Sequence, residues 1–432
     1  MELNAVIISV IALCILCLMR INVLLALIIS AIIAGLCSKM SISQIMETFI
    51  NGMGANSETA LSYILLGTFA AAMTQTGLAK VLANKITLII KDNKYLLLAI
   101  IGAIAIMSQN LIPVHIAFIP ILIPPLLGLM NKMQLDRRAV ATTLAFGLKA
   151  PYIAIPAGFG LIFQGLLAQN LTQNGVEVLK TDVCKSTWFL GLAMFVGLLV
   201  SIFITYRKKR KYEQNSCDIN PDKENLKLTR AHYITLLGAF ATLTVQLLTG
   251  SLPLGALVGL GIIFATGTIK KSDMDKLINE GIGLMGYVAF VMLTAAGFAL
   301  VLQQSGSIES LINSAIPLME HSKFLATALM LLLGLLITMG IGTSFGTIPI
   351  LAVLFVPICV KLGFSAPATI IVLASAAALG DAGSPASDTT LGPSAGLNFD
   401  RQHNHIKDTC IPTFLHFNIP LILAALLAIY IF

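Results

Sequence analysis

Apolar residues run through this chain in long blocks separated by short polar stretches. The blocks lie near residues 3–19, 23–37, 59–78, 95–112, 113–130, 139–169, 187–206, 231–249, 252–268, 284–305, 323–342, 344–360, 366–397 and 410–432. Most approach or exceed the ~20 residues an α-helix needs to cross a hydrocarbon core, so the pattern predicts an all-α polytopic membrane protein. Two stretches with an apolar and a polar face, 40–56 and 270–283, are expected to lie at the membrane interface.

The blocks recur. A stretch starting at residue 60 returns, ungapped, 229 positions later, so that Gln75-Thr76-Gly77 falls on Gln304-Ser305-Gly306, Ile119-Pro120-Ile121-Leu122 on Ile348-Pro349-Ile350-Leu351, and Pro156-Ala157 on Pro385-Ala386. About twenty of roughly a hundred aligned positions are identical, which marks an internal duplication. The expected organisation is an N-terminal transmembrane repeat over 1–206, a polar cytoplasmic linker over 207–229, and a C-terminal transmembrane repeat over 230–432.

Charge orients these halves. With Arg207-Lys208-Lys209-Arg210-Lys211 in the cytoplasm, the inner loops hold 21 of the 27 Lys and Arg; Lys39, Lys180, Lys185, Lys323 and Lys361 fall outside, and Lys149 lies within an apolar block. That skew follows the positive-inside rule, so the net charge of +7 reports topology and not nucleic-acid binding. Seven crossings per half turn the second repeat over relative to the first. Opposed halves of this kind surround a midplane site in many secondary transporters.

Composition agrees: the chain is 57% hydrophobic and 11% charged, with mean hydropathy +0.91, leaving too little polar surface for a water-soluble fold. Glu2 and the lack of a basic leader or cleavage signal before Arg20 indicate an uncleaved first helix. Cys14 and Cys17 form a C-x-x-C inside an apolar helix without other ligands, so a redox or metal role is not expected. No phosphate-binding loop, dinucleotide fingerprint, metal-ligand cluster or nucleophile–base pair is present. The chain is therefore read as a carrier without enzymatic activity or cofactor, driven by a gradient of Na⁺ or H⁺.

Each half carries two irregularities. The first is a bend, Ser108-Gln109-Asn110-Leu111-Ile112-Pro113 in one half and Gly340-Ile341-Gly342-Thr343-Ser344-Phe345-Gly346-Thr347 in the other. It is either a loop between two spans or the tip of a re-entrant hairpin, and both return the chain to one face. The second is a break inside a long block: Lys149-Ala150-Pro151-Tyr152-Ile153-Ala154-Ile155-Pro156-Ala157-Gly158, and Gly380-Asp381-Ala382-Gly383-Ser384-Pro385-Ala386-Ser387-Asp388-Thr389-Thr390. Proline removes a backbone donor and glycine loosens the helix, so uncoiling is expected around Pro151, Pro156, Gly380, Gly383 and Pro385. Freed carbonyls can then meet a cation, while a half-helix N-terminus faces inward.

Of twenty acidic residues, only Asp381 and Asp388 fall inside the membrane blocks. A carboxylate there costs at least ~2.5–3.5 kcal/mol, so its default reading is functional. With the hydroxyls of Ser384, Ser387, Thr389 and Thr390 the two supply oxygen ligands for a hard cation such as Na⁺; Asp388 could instead cap the half-helix that follows. Lys149 has three competing roles: stand-in for a bound cation, partner of Asp381 or Asp388, or receptor for a substrate carboxylate. Ser108, Asn110, His115, Thr343, Ser344 and Thr347 at the bends are further candidates for substrate or coupling contacts, His115 being equally readable as a structural histidine, as are His416 and Asn418 in the last block.

The run from Gly380 to Thr390 resembles the G-D-x-x-S-P-x-S-D-T-T signature of NhaC-type bacterial sodium/proton antiporters, part of an ion-transporter superfamily of inverted-repeat carriers. The resemblance implies Asp381, Ser384, Pro385, Ser387, Asp388, Thr389 and Thr390 as the ion site, and hairpins and broken helices moving against a scaffold. This chain departs at Ala382, where a basic residue is usual, and over Leu391-Gly392-Pro393-Ser394-Ala395-Gly396-Leu397-Asn398. It looks more like a sister branch whose members carry both antiporter and amino-acid permease labels, histidine being one named cargo. Two readings follow: a Na⁺(cation)/H⁺ antiporter working by alternating access, or a Na⁺- or H⁺-coupled amino-acid permease. Either would be a multi-pass protein of the bacterial cytoplasmic (inner) membrane whose partners are the lipid bilayer, a small cation and, in the second reading, an amino acid; a homodimer is compatible with both.

Overall fold

The computed structural model describes residues 4–19, 21–78, 81, 85, 93–110, 119, 122–213, 227–307, 310, 322–385 and 387–432, and its regular structure there is helical with no strand. The first half contains α1 (Ala5–Leu18), α2 (Val23–Cys37), α3 (Ile42–Met53), α4 (Ser57–Gln75), α5 (Lys94–Asn110), α6 (Leu127–Lys132), α7 (Arg137–Ala154), α8 (Phe159–Gln173) and α9 (Lys180–Thr205). The second contains α10 (Arg230–Thr249), α11 (Leu252–Ala265), α12 (Met274–Gln304), α13 (Lys323–Ile341), α14 (Ser344–Lys361), α15 (Ala366–Ala378), α16 (Asp388–Leu397) and α17 (His405–Ile431). Helices α9, α10, α12, α14 and α17 are long and apolar enough to cross a membrane, and α7 with α8, bent by 46° at their break, makes a sixth candidate. The chain is an all-α, multi-pass membrane protein.

Polar residues at block edges start the helices. Asn22 accepts the Leu24 N–H at α2, Ser41 and Gln44 form a capping box on α3, and Asp136, Ser322 and Ser365 cap α7, α13 and α15. Helix packing relies on small residues, since apolar side chains gain little by leaving lipid for one another. A Cβ on Gly67 of α4 would come within 2.6 Å of the Gly281 carbonyl oxygen on α12, so the two backbones touch. The exposed faces carry Leu237, Phe240 and Leu247 on α10 and Leu423 and Leu427 on α17, as lipid-facing surfaces should.

Of the two amphipathic stretches, the second is not a separate element. Residues 274–283 continue without interruption into the 31-residue α12. Helix α3 is amphipathic, with Ile45, Thr48, Phe49 and Gly52 on its buried face, and a Cβ on Gly52 would lie 2.8 Å from the Gly297 Cα of α12. Close glycine contact docks it on the bundle.

The 229-residue offset carries over to the elements. It places Lys94, which opens α5, on Lys323 of α13; Arg137 of α7 on Ala366 of α15; Phe159 of α8 on Asp388 of α16; and Gln75, which ends α4, on Gln304 of α12. Pairings recur as well: α5 packs on α7 as α13 does on α15, and α9 on α7 as α17 does on α15.

Polar contacts between loops gather at two ends. At one, Asn4 Nδ2 donates to the Ser307 carbonyl (2.7 Å), Gln303 Nε2 to Asn174 Oδ1 (3.0 Å) and Lys323 Nζ to the Gly363 carbonyl (2.8 Å). At the other, buried Arg137 makes a bidentate pair with Asp400 (2.6 and 2.5 Å), Arg210 pairs with Asp408 (2.7 Å), and Lys94 Nζ donates to the Arg207 carbonyl (3.1 Å). Each contact joins stretches that the charge skew puts on the same side. In the second cluster, burial of Asp400 is outweighed by the hydrogen bonds and charge of Arg137, which hold its carboxyl below the usual range. Burial pushes the His403 imidazole down to about 4.

Candidate functional site

Helix α15 stops at Ala378, and Gly380 and Gly383 take positive φ, +82° and +107°, which a side chain would disfavour. Space forbids one too: a Cβ on Gly380 would come 2.7 Å from Met339 Cγ of α13. Asn418 of α17 splints the uncoiled chain, accepting the Gly380 N–H (3.3 Å) and donating to the Ala382 carbonyl (3.0 Å). Ser387 then caps α16 through the Thr389 N–H (3.2 Å).

Asp381 sits in this break, 3% exposed. Its Oδ2 accepts from Lys149 Nζ (2.9 Å), Tyr152 OH (3.1 Å) and Ser344 Oγ (2.7 Å), and its Oδ1 from Ser387 Oγ. Lys149 is fully buried and also lies 3.4 Å from Ser344 Oγ. Three separated pieces of chain therefore meet: Lys149 and Tyr152 one helical turn apart on α7, Ser344 at the start of α14, and the second break. Losing one member of such a buried pair costs about 3–5 kcal/mol, because the other charge stays behind without a partner.

Other candidates divide. Thr389 Oγ1 lies 2.8 Å from Ser387 Oγ and 3.4 Å from the Asp381 carbonyl, within the cluster. Ser384 Oγ donates to the Met339 carbonyl (3.2 Å), Thr390 Oγ1 to the carbonyls of Ser384 (2.5 Å) and Ser387 (2.9 Å), and Thr347 Oγ1 to that of Ser344 (2.9 Å). Ser108 Oγ donates to the Ala105 carbonyl (2.9 Å) and Asn110 Nδ2 to that of Ile106 (3.4 Å). Those five bind and shape backbone at the bends and the break. Asp388 is the first residue of α16, with its side chain outside the described structure, and His115 lies outside it altogether, as do the side chains of Cys14 and Cys17. His416 bridges Thr205 Oγ1 (2.9 Å) and the Pro412 carbonyl (2.7 Å), away from the site.

Pro151 is a correction. It lies inside α7, which continues to Ala154, and its carbonyl still accepts the Ile155 N–H (2.7 Å). Uncoiling starts at Ile155 because it precedes Pro156, whose ring disfavours helical geometry there; Ile155 is extended (φ −116°, ψ 125°). Gly158 closes this first break at φ +58°, where a Cβ would meet the Asn110 carbonyl oxygen at 2.2 Å.

A cavity of about 300 Å³ opens beside Asp381, lined by Gln109, Tyr152, Phe159, Thr343 and Thr389 among others. Phe345 forms part of its wall, with ring centroids 5.1 Å from Tyr152, 5.9 Å from Phe159 and 6.1 Å from Tyr63. A second cavity of about 480 Å³, lined by Glu58, Lys180 and Gly250, contains none of the site residues.

Sequence reasoning overlooked Tyr152 and Gln109. Two signals pointed to Tyr152: it lies one turn from Lys149, and the 229-residue offset superposes it on Asp381. Gln109 lay between two residues that were singled out. Among the described residues no group of three or more His, Cys, Asp or Glu could hold a metal ion.

Comparison with known proteins places this geometry in context. The profile of a Na⁺/H⁺ antiporter family matches residues 143–426, and a second profile, also described as a Na⁺-H⁺ antiporter family, matches residues 4–90. An uncharacterized membrane protein of Vibrio parahaemolyticus is 45% identical, spanning 97% of this chain and 98% of its own. YuiF of Bacillus subtilis, whose name assigns it provisionally to amino-acid transport, is 44% identical over 97% and 98% of the two chains. Among solved structures, the YdaH transporter of Alcanivorax borkumensis superposes with a TM-score of 0.60 at 15% identity over 90% of this chain and 88% of its own. MtrF of Neisseria gonorrhoeae, from a class of antimetabolite efflux pumps, does so at 0.55 and 15% over 90% and 85%.

Proposed function

Since the chain belongs to the Na⁺/H⁺ antiporter family, we propose that it is a secondary transporter of the bacterial cytoplasmic membrane that exchanges a small cation for a proton at Asp381. One observation carries this reading: the buried 2.9 Å pair between Lys149 and Asp381 inside a helix break. An ammonium occupies the place a cation would take. When Na⁺ binds the carboxylate, with Ser344, Ser387 and Thr389 as neutral donors of oxygen, Lys149 loses its counter-charge. An unpaired ammonium there is costly, so its proton departs. The site holds one positive charge before and after the exchange, and cation and proton cannot both be held.

Alternating access supplies the second requirement. The two halves, 1–206 and 230–432 joined by the 207–229 linker, are read as inverted repeats. Coincident element boundaries, the charge skew and the sorting of loop contacts to two ends support this. Bends at Ser108–Asn110 and Thr343–Ser344 are read as tips of re-entrant hairpins that rock with the breaks. Asp388, next to Ser387, is the proposed second acid, and His115 remains a candidate on the first hairpin.

In proteoliposomes, a Na⁺ pulse should move internal pH without any organic solute, and Asp381→Asn should abolish that response. Proton movement seen only after an amino acid is added would replace antiport with coupled uptake. The cavity beside the pair favours keeping that second reading, because 300 Å³ is far more space than a bare ion fills.

A further inference from the structure

We infer that the 300 Å³ cavity beside Asp381 is a binding site for an amino-acid zwitterion, with Gln109 as its amine receptor and the start of α14 as its carboxylate receptor. The inference rests on reading Asp381 as the ion site and deepens it by naming an organic cargo. Gln109 is the first observation. Its side chain is 3% exposed and lines the cavity, yet its Oε1 has no hydrogen-bond partner among the described residues. An orphaned buried acceptor costs about 1–3 kcal/mol, a penalty that a bound donor removes. A protonated amine is such a donor.

The start of α14 is the second observation. This 18-residue helix opens at Ser344, and its N-cap residue, Thr343, lines the same cavity without a side-chain hydrogen bond capping the first turn. The Ser344 hydroxyl is turned to Asp381 instead. No described N-cap side chain covers the first N–H groups, and they and the positive end of the helix can receive an anionic group, as helix N-termini do. Helix α8 adds to the field: it starts at Phe159 on the cavity wall, and its N-cap, Gly158, supplies no capping side chain.

Size and lining narrow the class. Liquid water takes about 30 Å³ per molecule, so the space equals roughly ten waters. It falls at the lower end of small-molecule sites, about 300–1,000 Å³. Tyr63, Phe159 and Phe345 give the walls an apolar, aromatic character suited to a side chain. A neutral sugar would leave the α14 terminus without an anion, and an inorganic anion would leave Gln109 without a donor.

The test uses full-length protein in lipid nanodiscs with Na⁺ present. The twenty standard L-amino acids are screened by thermal shift, and every binder is compared with its decarboxylated amine and its N-acetyl derivative. At least one amino acid should stabilise the wild type, while both derivatives fail. Gln109→Leu should weaken that binding about tenfold or more, the effect of losing a hydrogen bond to a charged group. Should Gln109→Leu not fold, the derivative series on wild type still decides. Binding by the amine or the acetylated form as well as by the amino acid overturns the assignment, as does unchanged affinity in Gln109→Leu. If no amino acid binds while Na⁺ still releases protons from the same sample, the zwitterion site falls and the ion reading stands. If amino acids bind and Na⁺ releases no protons, the ion reading falls and the cavity keeps its cargo.

Discussion

The two helix breaks occupy equivalent places and have been given different chemistry. Helices α8 and α16 restart 229 residues apart, at Phe159 and Asp388, and each break carries a glycine at positive φ, Gly158 at the close of the first and Gly380 at the opening of the second. Gly158 abuts Asn110 at the end of α5, and Gly380 abuts Met339 near the end of α13. Into this shared frame the first half brings an amine and a phenol, the second a carboxylate. Tyr152 and Asp381, equivalent by the offset, lie within hydrogen-bond reach of each other at 3.1 Å. A residue that touches its counterpart is what the proposed repeat would show near its axis, and on that reading the Asp381 site lies there. The charge-compensated centre thus draws on two offset pairs, Lys149 against Ala378 and Tyr152 against Asp381.

The comparison breaks hardest at the carboxylate. Asp381→Asn should reduce ion-dependent flux to background and, by leaving Lys149 unpaired, lower stability by about 3–5 kcal/mol in detergent melts. Replacing both partners, Asp381→Leu with Lys149→Met, should restore much of that stability without restoring flux. A double variant as unstable as the sum of the singles would mean the two groups are not coupled.

How tightly each break is built is tested by the glycines. Gly158→Ala and Gly380→Ala each force a Cβ into contact at 2.2 and 2.7 Å with unfavourable φ, and each should cost about 1–3 kcal/mol in the same melts. Similar losses would show that both breaks are tightly packed; a neutral Gly158→Ala would show that the first is loosely built. Chemical inequality is sharpened by Tyr152→Phe, which removes one donor from Asp381 and should shift the Na⁺ concentration for half-maximal proton movement several-fold, matching a hydrogen bond of about 1 kcal/mol.

The smallest effect lies outside the bilayer. His403 is uncharged in the folded chain down to about 4, against an ordinary 6.5. The unfolded chain therefore binds a proton over that interval while the folded chain does not, so this contribution is full above pH 6.5 and declines as pH falls towards 4. His403→Gln should flatten the dependence of melting temperature on pH in that window, and an unchanged slope would assign it to other groups.

Much of this was legible in the sequence. Fold class and the places of most helices follow from hydrophobic length, because lipid imposes that constraint segment by segment. Asp381 and Lys149 were visible as charges in apolar surroundings. Their partnership was one of three readings, because pairing across 232 residues depends on how the halves pack. Pro151 misled because a proline late in a helix loses one hydrogen bond without ending it, whereas Pro156 constrains its predecessor. Tyr152 and Gln109 were missed for a common reason: a phenol or an amide in an apolar run looks unremarkable until its neighbours are known. The hydroxyls of Ser384 and Thr390 illustrate the reverse, belonging to a recognisable motif yet serving the backbone.

Calorimetric titration of Na⁺ into the purified protein, repeated in buffers of different ionisation enthalpy, counts the protons released per cation bound. The account predicts about one for the wild type, and for Lys149→Gln cation binding without proton release. Equal release from both proteins, or none from the wild type, would contradict it.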